Sequence, residues 1–394
     1  MTEAAAQNSH LMQTYGRLPV AFARGEGAWL EDTNGKRYLD ALTGLAVAGL
    51  GHAHPRVTEA ITSQAGALLH TSNLYEIPNQ SRLAEKLCTV SGMDRVFFGN
   101  SGAEANEAAI KIARLHGSRK GIKAPTIVVA EESFHGRTMA TLTATGNRKV
   151  QAGFEPLLKG FVRAPYNDVP AIEQIAENNP DVVAVLVEPV QGEGGIKVPA
   201  DDYLAELRRI CDANDWLLML DEVQTGNART GTYFAYQQSG AMPDVVATAK
   251  GLGNGVPIGA CLARGAAAEL MQPGHHGSTY GGNPLVCAAA NAVVDTILED
   301  NLAERAGQLG DRMLDGFRNA LKGNNDIVDI RGKGLMIAVE LARDCTHLVP
   351  EALDQGLLIN VTQGNIVRLL PPMTLSDEEA ELIVNRVSAL INGE

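Results

Sequence analysis

The sequence predicts an α/β fold: a large domain on a mostly parallel central sheet flanked by helices, with a smaller α+β domain beside it. Three observations carry this. Several strand-like runs are apolar throughout instead of alternating, as in Trp216-Leu-Leu-Met-Leu220 and Val182-Val-Ala-Val-Leu-Val187, which fits strands covered on both faces. Such runs alternate with helical stretches from about residue 55 to 290, the order that builds βαβ units. From Asn291 onward the pattern changes to a long amphipathic stretch followed by short strands and a last helix.

The elements follow in chain order. Residues 1–54 read as an arm and a hairpin, with Trp29-Leu-Glu-Asp32 and Lys36-Arg-Tyr-Leu-Asp40 on either side of the turn signal Asn34-Gly35. Residues 55–290 form the large domain and 291–394 the C-terminal small domain. Within the small domain a single helical stretch is expected through about Ala320, then a strand at Leu335–Leu341 and a strand pair between Gly356 and Leu370. Ser376 with Glu379 marks the start of the final helix as a capping box.

Each buried run in the large domain ends in polar residues at its carboxyl end, where open α/β sheets bind their ligands. Val96-Phe-Phe98 precedes Gly-Asn-Ser-Gly, Ile127-Val-Val-Ala130 precedes Glu-Glu-Ser-Phe-His-Gly-Arg, Val182–Val187 precedes Glu188, and Leu217–Leu220 precedes Asp221. Several strand ends therefore face one crevice. The stretch Asn100-Ser-Gly-Ala-Glu-Ala-Asn-Glu107 stops a strand and opens an Ala-rich helix, expected to about Arg114, with Ser101 and Glu104 as its capping box. Free amides in that first turn and the positive helix end suit a phosphate, and Gly102 permits close approach. Lys250 follows another apolar run, in Thr248-Ala-Lys-Gly-Leu-Gly-Asn-Gly255. A carboxylate, Asp221, followed by an amine, Lys250, with a phosphate seat, supplies what pyridoxal phosphate (PLP) requires: a partner that keeps the pyridine nitrogen protonated and a Schiff-base lysine.

Composition removes other classes. The chain has 394 residues, 45% of them hydrophobic, which supports one or two large cores. A formal net charge of −13 opposes a general nucleic-acid or membrane-surface role. Five scattered cysteines without a C-x-x-C pair read as buried thiols. The amino terminus lacks a basic start followed by an apolar core, so a cytoplasmic location is expected. His52-Ala-His54 and His275-His276 lack the carboxylate-bearing pattern of a metallohydrolase, and no metal is expected. Gly251-Leu-Gly-Asn-Gly255 does not satisfy the dinucleotide fingerprint and reads as room for the lysine loop to turn.

The ordered motifs Ser133-Phe-His-Gly-Arg-Thr138, Asp221-Glu-Val-Gln224, Thr225-Gly with Arg229-Thr-Gly231, Ala249-Lys-Gly251 and Gly277-Ser-Thr-Tyr-Gly-Gly-Asn-Pro284 resemble the class III aminotransferases, nearest to their acetylornithine branch. The likeness runs from Tyr15-Gly-Arg-Leu-Pro19 through Leu50-Gly-His-Ala-His-Pro55 and Ser72-Asn-Leu-Tyr75 to Ile366-Val-Arg-Leu369. It implies PLP-dependent transferase fold type I, with the small domain drawing on both chain ends. It also implies catalytic roles for Lys250 and Asp221. Ser101, Gly102, Ala103 and Thr279 would hold phosphate, Val223 and Phe134 would cover the ring faces, Gln224 would meet the ring hydroxyl, and Glu188 would stand beside it. Thr279 would come from the partner subunit, making the enzyme a homodimer. Arg137, Ser278 and Tyr15 would meet substrate, and Arg368 would hold the α-carboxylate of glutamate, with Glu193 neutralising it when the other substrate is bound.

The reaction so implied is ping-pong transamination of N2-acetyl-L-ornithine with 2-oxoglutarate through a Lys250 Schiff base, yielding N-acetyl-L-glutamate 5-semialdehyde and L-glutamate, in arginine biosynthesis. The same cofactor residues would serve succinylornithine, ornithine, 4-aminobutyrate and other ω-amine transaminases, or glutamate semialdehyde aminomutase. A PLP-binding protein without turnover would be expected to lack Lys250 or Arg137, and both are present. Two positions depart from the family pattern: Ala228, where a glycine is expected, and His275, where an asparagine is. A positive φ at Ala228 would carry about 1 kcal/mol of strain.

Overall fold

Fully buried apolar strands form the centre of the computed structural model, which describes residues 10–393. Val182–Val187 and Leu217–Asp221 are buried along their whole length, because helices cover both faces of the sheet they occupy. That sheet has seven strands in the order Arg95–Gly99, Gly259–Ala263, Val245–Thr248, Leu217–Asp221, Val182–Val187, Thr126–Ala130, Phe161–Ala164. Gly259–Ala263 runs antiparallel to both its neighbours, and the remaining pairings are parallel. The helix Gly102–Arg119 starts directly after the first of these strands and buries Ala105, Ala108, Ala109, Ile112 and Ala113 against the sheet. Small residues on that face let the helix approach closely.

The two chain ends are joined. Trp29–Asp32 and Arg37–Asp40 form the expected hairpin around Gly35, whose φ is +85°, and Phe22–Glu26 adds a third strand outside it. Leu357–Leu358 completes this sheet by running parallel to Arg37–Asp40. A third sheet orders Ile327–Lys333, Met336–Leu341, Ile366–Leu369 and Asn360–Thr362, all antiparallel.

Three expectations change. The long helical stretch is two helices, Pro284–Glu299 and Leu302–Ala320, broken where Asn301 turns left-handed at φ +51°; asparagine tolerates that conformation. The strand pair after Gly356 is Asn360–Thr362 with Ile366–Leu369, while Leu357–Leu358 leaves for the other sheet. The helix at Gly102 runs to Arg119, beyond Arg114. The final helix, Asp377–Asn392, has its capping box at Ser376 and Glu379, and Glu379 also accepts from the Trp29 indole at 2.7 Å, tying the last helix to the hairpin. No helix among the described residues is long and apolar enough to cross a membrane.

Candidate active site

Lys250 lies in a short 3-10 turn just past the strand Val245–Thr248, with φ at +45°. A non-glycine residue in that region costs of order 1–3 kcal/mol and persists only where its surroundings enforce it. Asparagine side chains do so here. Asn227 donates to Thr248 Oγ1 at 3.0 Å and to the Ala249 carbonyl at 3.1 Å. Asn254 accepts from Leu50 N–H at 2.8 Å and donates to the Gly51 carbonyl at 3.0 Å. Gly255 follows with φ +111°, so the loop does turn on a glycine. Lys250 Nζ has no hydrogen-bond or ion-pair partner among the described residues. Burial pushes its pKa below the usual lysine range; Arg368 pushes the same way, against the pull of Glu193, Asp221 and Glu188. An amine with a lowered pKa is a better nucleophile and proton acceptor at neutral pH.

Asp221 ends the buried strand before it, and its carboxylate is fixed on both oxygens. Oδ2 accepts from Asn106 Nδ2 at 2.7 Å and pairs with His135 Nδ1 at 2.8 Å, and Oδ1 accepts from Val223 N–H at 3.0 Å. Three donors on its two oxygens leave the side chain one orientation. Asn106 and His135 are themselves buried.

At the start of the helix Gly102–Arg119, Ser101 Oγ accepts from Glu104 N–H at 3.2 Å. The expected capping box is only half formed: the Glu104 carboxylate reaches back to Asn100 N–H and Nδ2, one residue earlier, because Ser101 is fully extended at φ −158°. The Gly102 and Ala103 amides carry no partner among the described residues. Gly102 is also required by packing, since a Cβ there would lie 2.7 Å from Val223 Cγ1.

These groups line one cavity of about 390 Å³, together with Phe134, Arg137, Glu188, Glu193 and Gln224. Glu188 accepts from Phe134 N–H at 2.9 Å and Gly192 N–H at 3.0 Å. Burial pushes its carboxyl up to about 7, with His135 and these amides opposing and Asp221 adding to the rise. An outer chamber of about 780 Å³ shares Phe134, Arg137 and Glu193 with the inner one and adds Arg368. Arg368 Nη1 pairs with Glu193 Oε1 at 2.6 Å and is almost wholly buried. Burial raises the Glu193 pKa, but Arg368 and Lys250 outweigh it, and the net shift is downward.

Of the residues singled out in the sequence, Ser278 stands just behind the cavity, accepting from Asn100 Nδ2 at 3.1 Å. Thr279 and Tyr15 are exposed and line neither chamber of the single chain. Asn106 and His135 were not singled out. Asn106 carried a signal, a polar residue on the alanine face of a helix, and His135 sits inside the Ser133–Thr138 motif. Ala228 has φ +72° and is buried, so the strain of about 1 kcal/mol applies. His52 pairs with Asp40 at 2.8 Å as a structural contact, and no group of three metal-ligating side chains occurs among the described residues.

Glu222, next to Asp221, is buried and accepts from Tyr236 N–H at 3.0 Å and from the Thr225 hydroxyl. Burial lifts its pKa from 4.5 to about 7 despite these bonds. The folded protein therefore keeps a proton between those values that the unfolded chain has lost, so stability falls as pH rises through that window and levels off above it. Glu222→Gln mimics the protonated form and is expected to flatten part of that decline, read from denaturant midpoints at about pH 5 and about pH 8.

A half-buried, unpaired lysine, a clamped carboxylate and open helix amides around one cavity define a cofactor-dependent enzyme of amine chemistry. The family model for class III aminotransferases matches residues 11–391, and the chain belongs to that family; it is a PLP-dependent aminotransferase. An acetylornithine aminotransferase of Nitrosomonas europaea is 57% identical over 383 residues, spanning 97% of this chain and 98% of its own. An ornithine aminotransferase from Toxoplasma gondii, in a structure showing partial occupancy of PLP at the active site, matches with a TM-score of 0.95 at 35% identity, covering 99% of this chain and 94% of that one. An acetylornithine aminotransferase from Elizabethkingia anophelis matches with a TM-score of 0.88 at 34% identity, covering 99% and 98%. The side chains here fit PLP. Besides the open amides and the unpaired Lys250, Gln224 Oε1 is buried without a partner and would meet a ring hydroxyl.

Proposed function

We propose that this enzyme moves the δ-amino group of N2-acetyl-L-ornithine to 2-oxoglutarate, as a step in arginine biosynthesis. The observation that carries the reading is the joining of the Lys250 chamber, through Arg137 and Glu193, to a second chamber holding the buried Arg368. Both substrates bring carboxylates, which planar guanidinium groups bind bidentately. The acyl cap rests on the relatives at up to 57% identity, which bear the acetylornithine name.

When bound, PLP supplies an aldehyde that condenses with primary amines and a protonated ring that accepts electrons. Lys250 would hold it through Nζ and, as a neutral amine, take the proton from the substrate carbon that bears the amine. Asp221, fixed by Asn106 and His135, would stabilise the ring-nitrogen proton. The Gly102 and Ala103 amides and Ser101 would hold its phosphate, with Phe134 and Val223 against the ring. Thr279, exposed and outside its own cavity, would reach the partner's phosphate in a homodimer. Residues 55–290 would be the cofactor domain, with the joined chain ends as the small domain and Tyr15 on the substrate side. A cytoplasmic location fits a biosynthetic role.

Arg368 and Glu193 would form the gate between half-reactions. Glutamate and 2-oxoglutarate displace Glu193 and place their α-carboxylate on Arg368, whereas acetylornithine leaves the pair closed. Glu193→Ala should leave Arg368 open and shift the ratio of kcat/KM for the two half-reactions about tenfold toward glutamate. Single-turnover spectra with each amine measure that ratio. Equal changes in both half-reactions would remove the gate.

A further inference from the structure

The outer chamber holds more positive charge than its carboxylates use. Glu193 is spent on Arg368, and Glu132 on Lys197. Asp344 remains, accepting from the Thr346 amide and hydroxyl. Arg137, Arg148 and Lys149 line the same chamber, and none has a carboxylate partner among the described residues. Arg148 and Lys149 lie on the short helix Arg148–Gln151 and are exposed.

A second observation singles out Arg148. It stands close enough to Arg163 to depress that group's pKa, after burial, the larger cause. Arg163 is held beneath by the Thr143 and Thr145 carbonyls. The two guanidinium groups repel each other, Glu131 offsets this only in part, and an anion at this place relieves the rest. The chain as a whole carries a formal charge of −13 and repels anions at long range, so a dianionic substrate benefits from a local positive path inward.

We infer that Arg148 and Lys149 form a carboxylate subsite at the mouth of the outer chamber, specific for dicarboxylate substrates. It receives one carboxylate of the keto acid and passes the molecule to Arg137 and Arg368 further in. Its contribution is to KM and to the salt dependence of kcat/KM, since the pair lies outside the inner chamber. The inference rests on the proposed use of 2-oxoglutarate.

The test is steady-state kinetics of the PLP-loaded enzyme with 2-oxoglutarate varied, at several salt concentrations. The variants are Arg148→Gln/Lys149→Gln, Arg148→Glu/Lys149→Glu and the conservative Arg148→Lys/Lys149→Arg. The neutral pair should raise KM for 2-oxoglutarate about threefold to tenfold, with a smaller change in kcat and a flatter salt dependence. The charge-reversed pair should be worse, and the conservative pair should keep wild-type values. A KM and salt dependence unchanged in the neutral and reversed pairs would overturn the subsite alone. A wild-type enzyme that does not accept 2-oxoglutarate contradicts the proposed function and the subsite together.

Discussion

Lys250→Ala is expected to lower turnover by at least about 10³-fold while the protein still folds. The loss is large because one atom serves two purposes. Lys250 is the one lysine lining the inner chamber among the described residues, and the carboxylates that line it cannot form a Schiff base in its place. The substitution also removes a desolvated amine, whose burial already pushes its pKa down, and so costs the fold little. Reduction with borohydride followed by mass spectrometry should show PLP attached to the wild-type chain and none on the variant. Near-normal turnover by Lys250→Ala would overturn the assignment of the lysine.

Asp221→Ala should reduce activity about 10²- to 10³-fold, weaken PLP binding and also destabilise the protein. The destabilisation follows from the three bonds its carboxylate accepts. Without it the Asn106 amide and the His135 ring N–H lose their acceptor in a buried setting, at about 1–3 kcal/mol for each unsatisfied group. Asp221→Asn separates the two effects, because its carbonyl oxygen, placed where Oδ2 lies, still accepts from Asn106 and His135, and only the Val223 N–H loses its acceptor. It should recover some of the stability but not the activity, since a neutral amide does not stabilise a ring-nitrogen proton. Denaturant unfolding and kcat/KM together measure this. Full activity in Asp221→Asn would place the stabilising charge elsewhere, with Glu188 and Glu193 the other carboxyls lining the cavity.

The features of the fold legible in the sequence were those set by local pattern. Unbroken apolar runs marked the central strands, and Asn34-Gly35 and Ser376 with Glu379 marked a turn and a cap that the structure repeats. The break at Asn301 was hidden because apolar spacing continues on both sides of it. Phe22–Glu26 was hidden because it is a mostly exposed outer strand, without a core-facing pattern. In the cavity, Asp221 and Lys250 stood out as candidates from their places at strand ends together with the phosphate seat at residues 100–107. The Arg368–Glu193 pair joins residues 175 apart in the chain, which no local pattern encodes, and it entered through the family likeness. His135 and Asn106 converge on Asp221 from two separate elements, so their function shows only once the sheet is assembled. The left-handed conformations of Lys250 and Ala228 are likewise imposed by tertiary contacts.

The most direct test is the absorbance spectrum of the PLP-loaded protein, followed after addition of N2-acetylornithine, ornithine or 4-aminobutyrate in separate cells without keto acid. The visible cofactor band should bleach fastest with N2-acetylornithine and return on adding 2-oxoglutarate. A band that responds better to ornithine or 4-aminobutyrate would contradict the assigned substrate, and a protein that shows no visible band after PLP is supplied would contradict the lysine-bound cofactor itself.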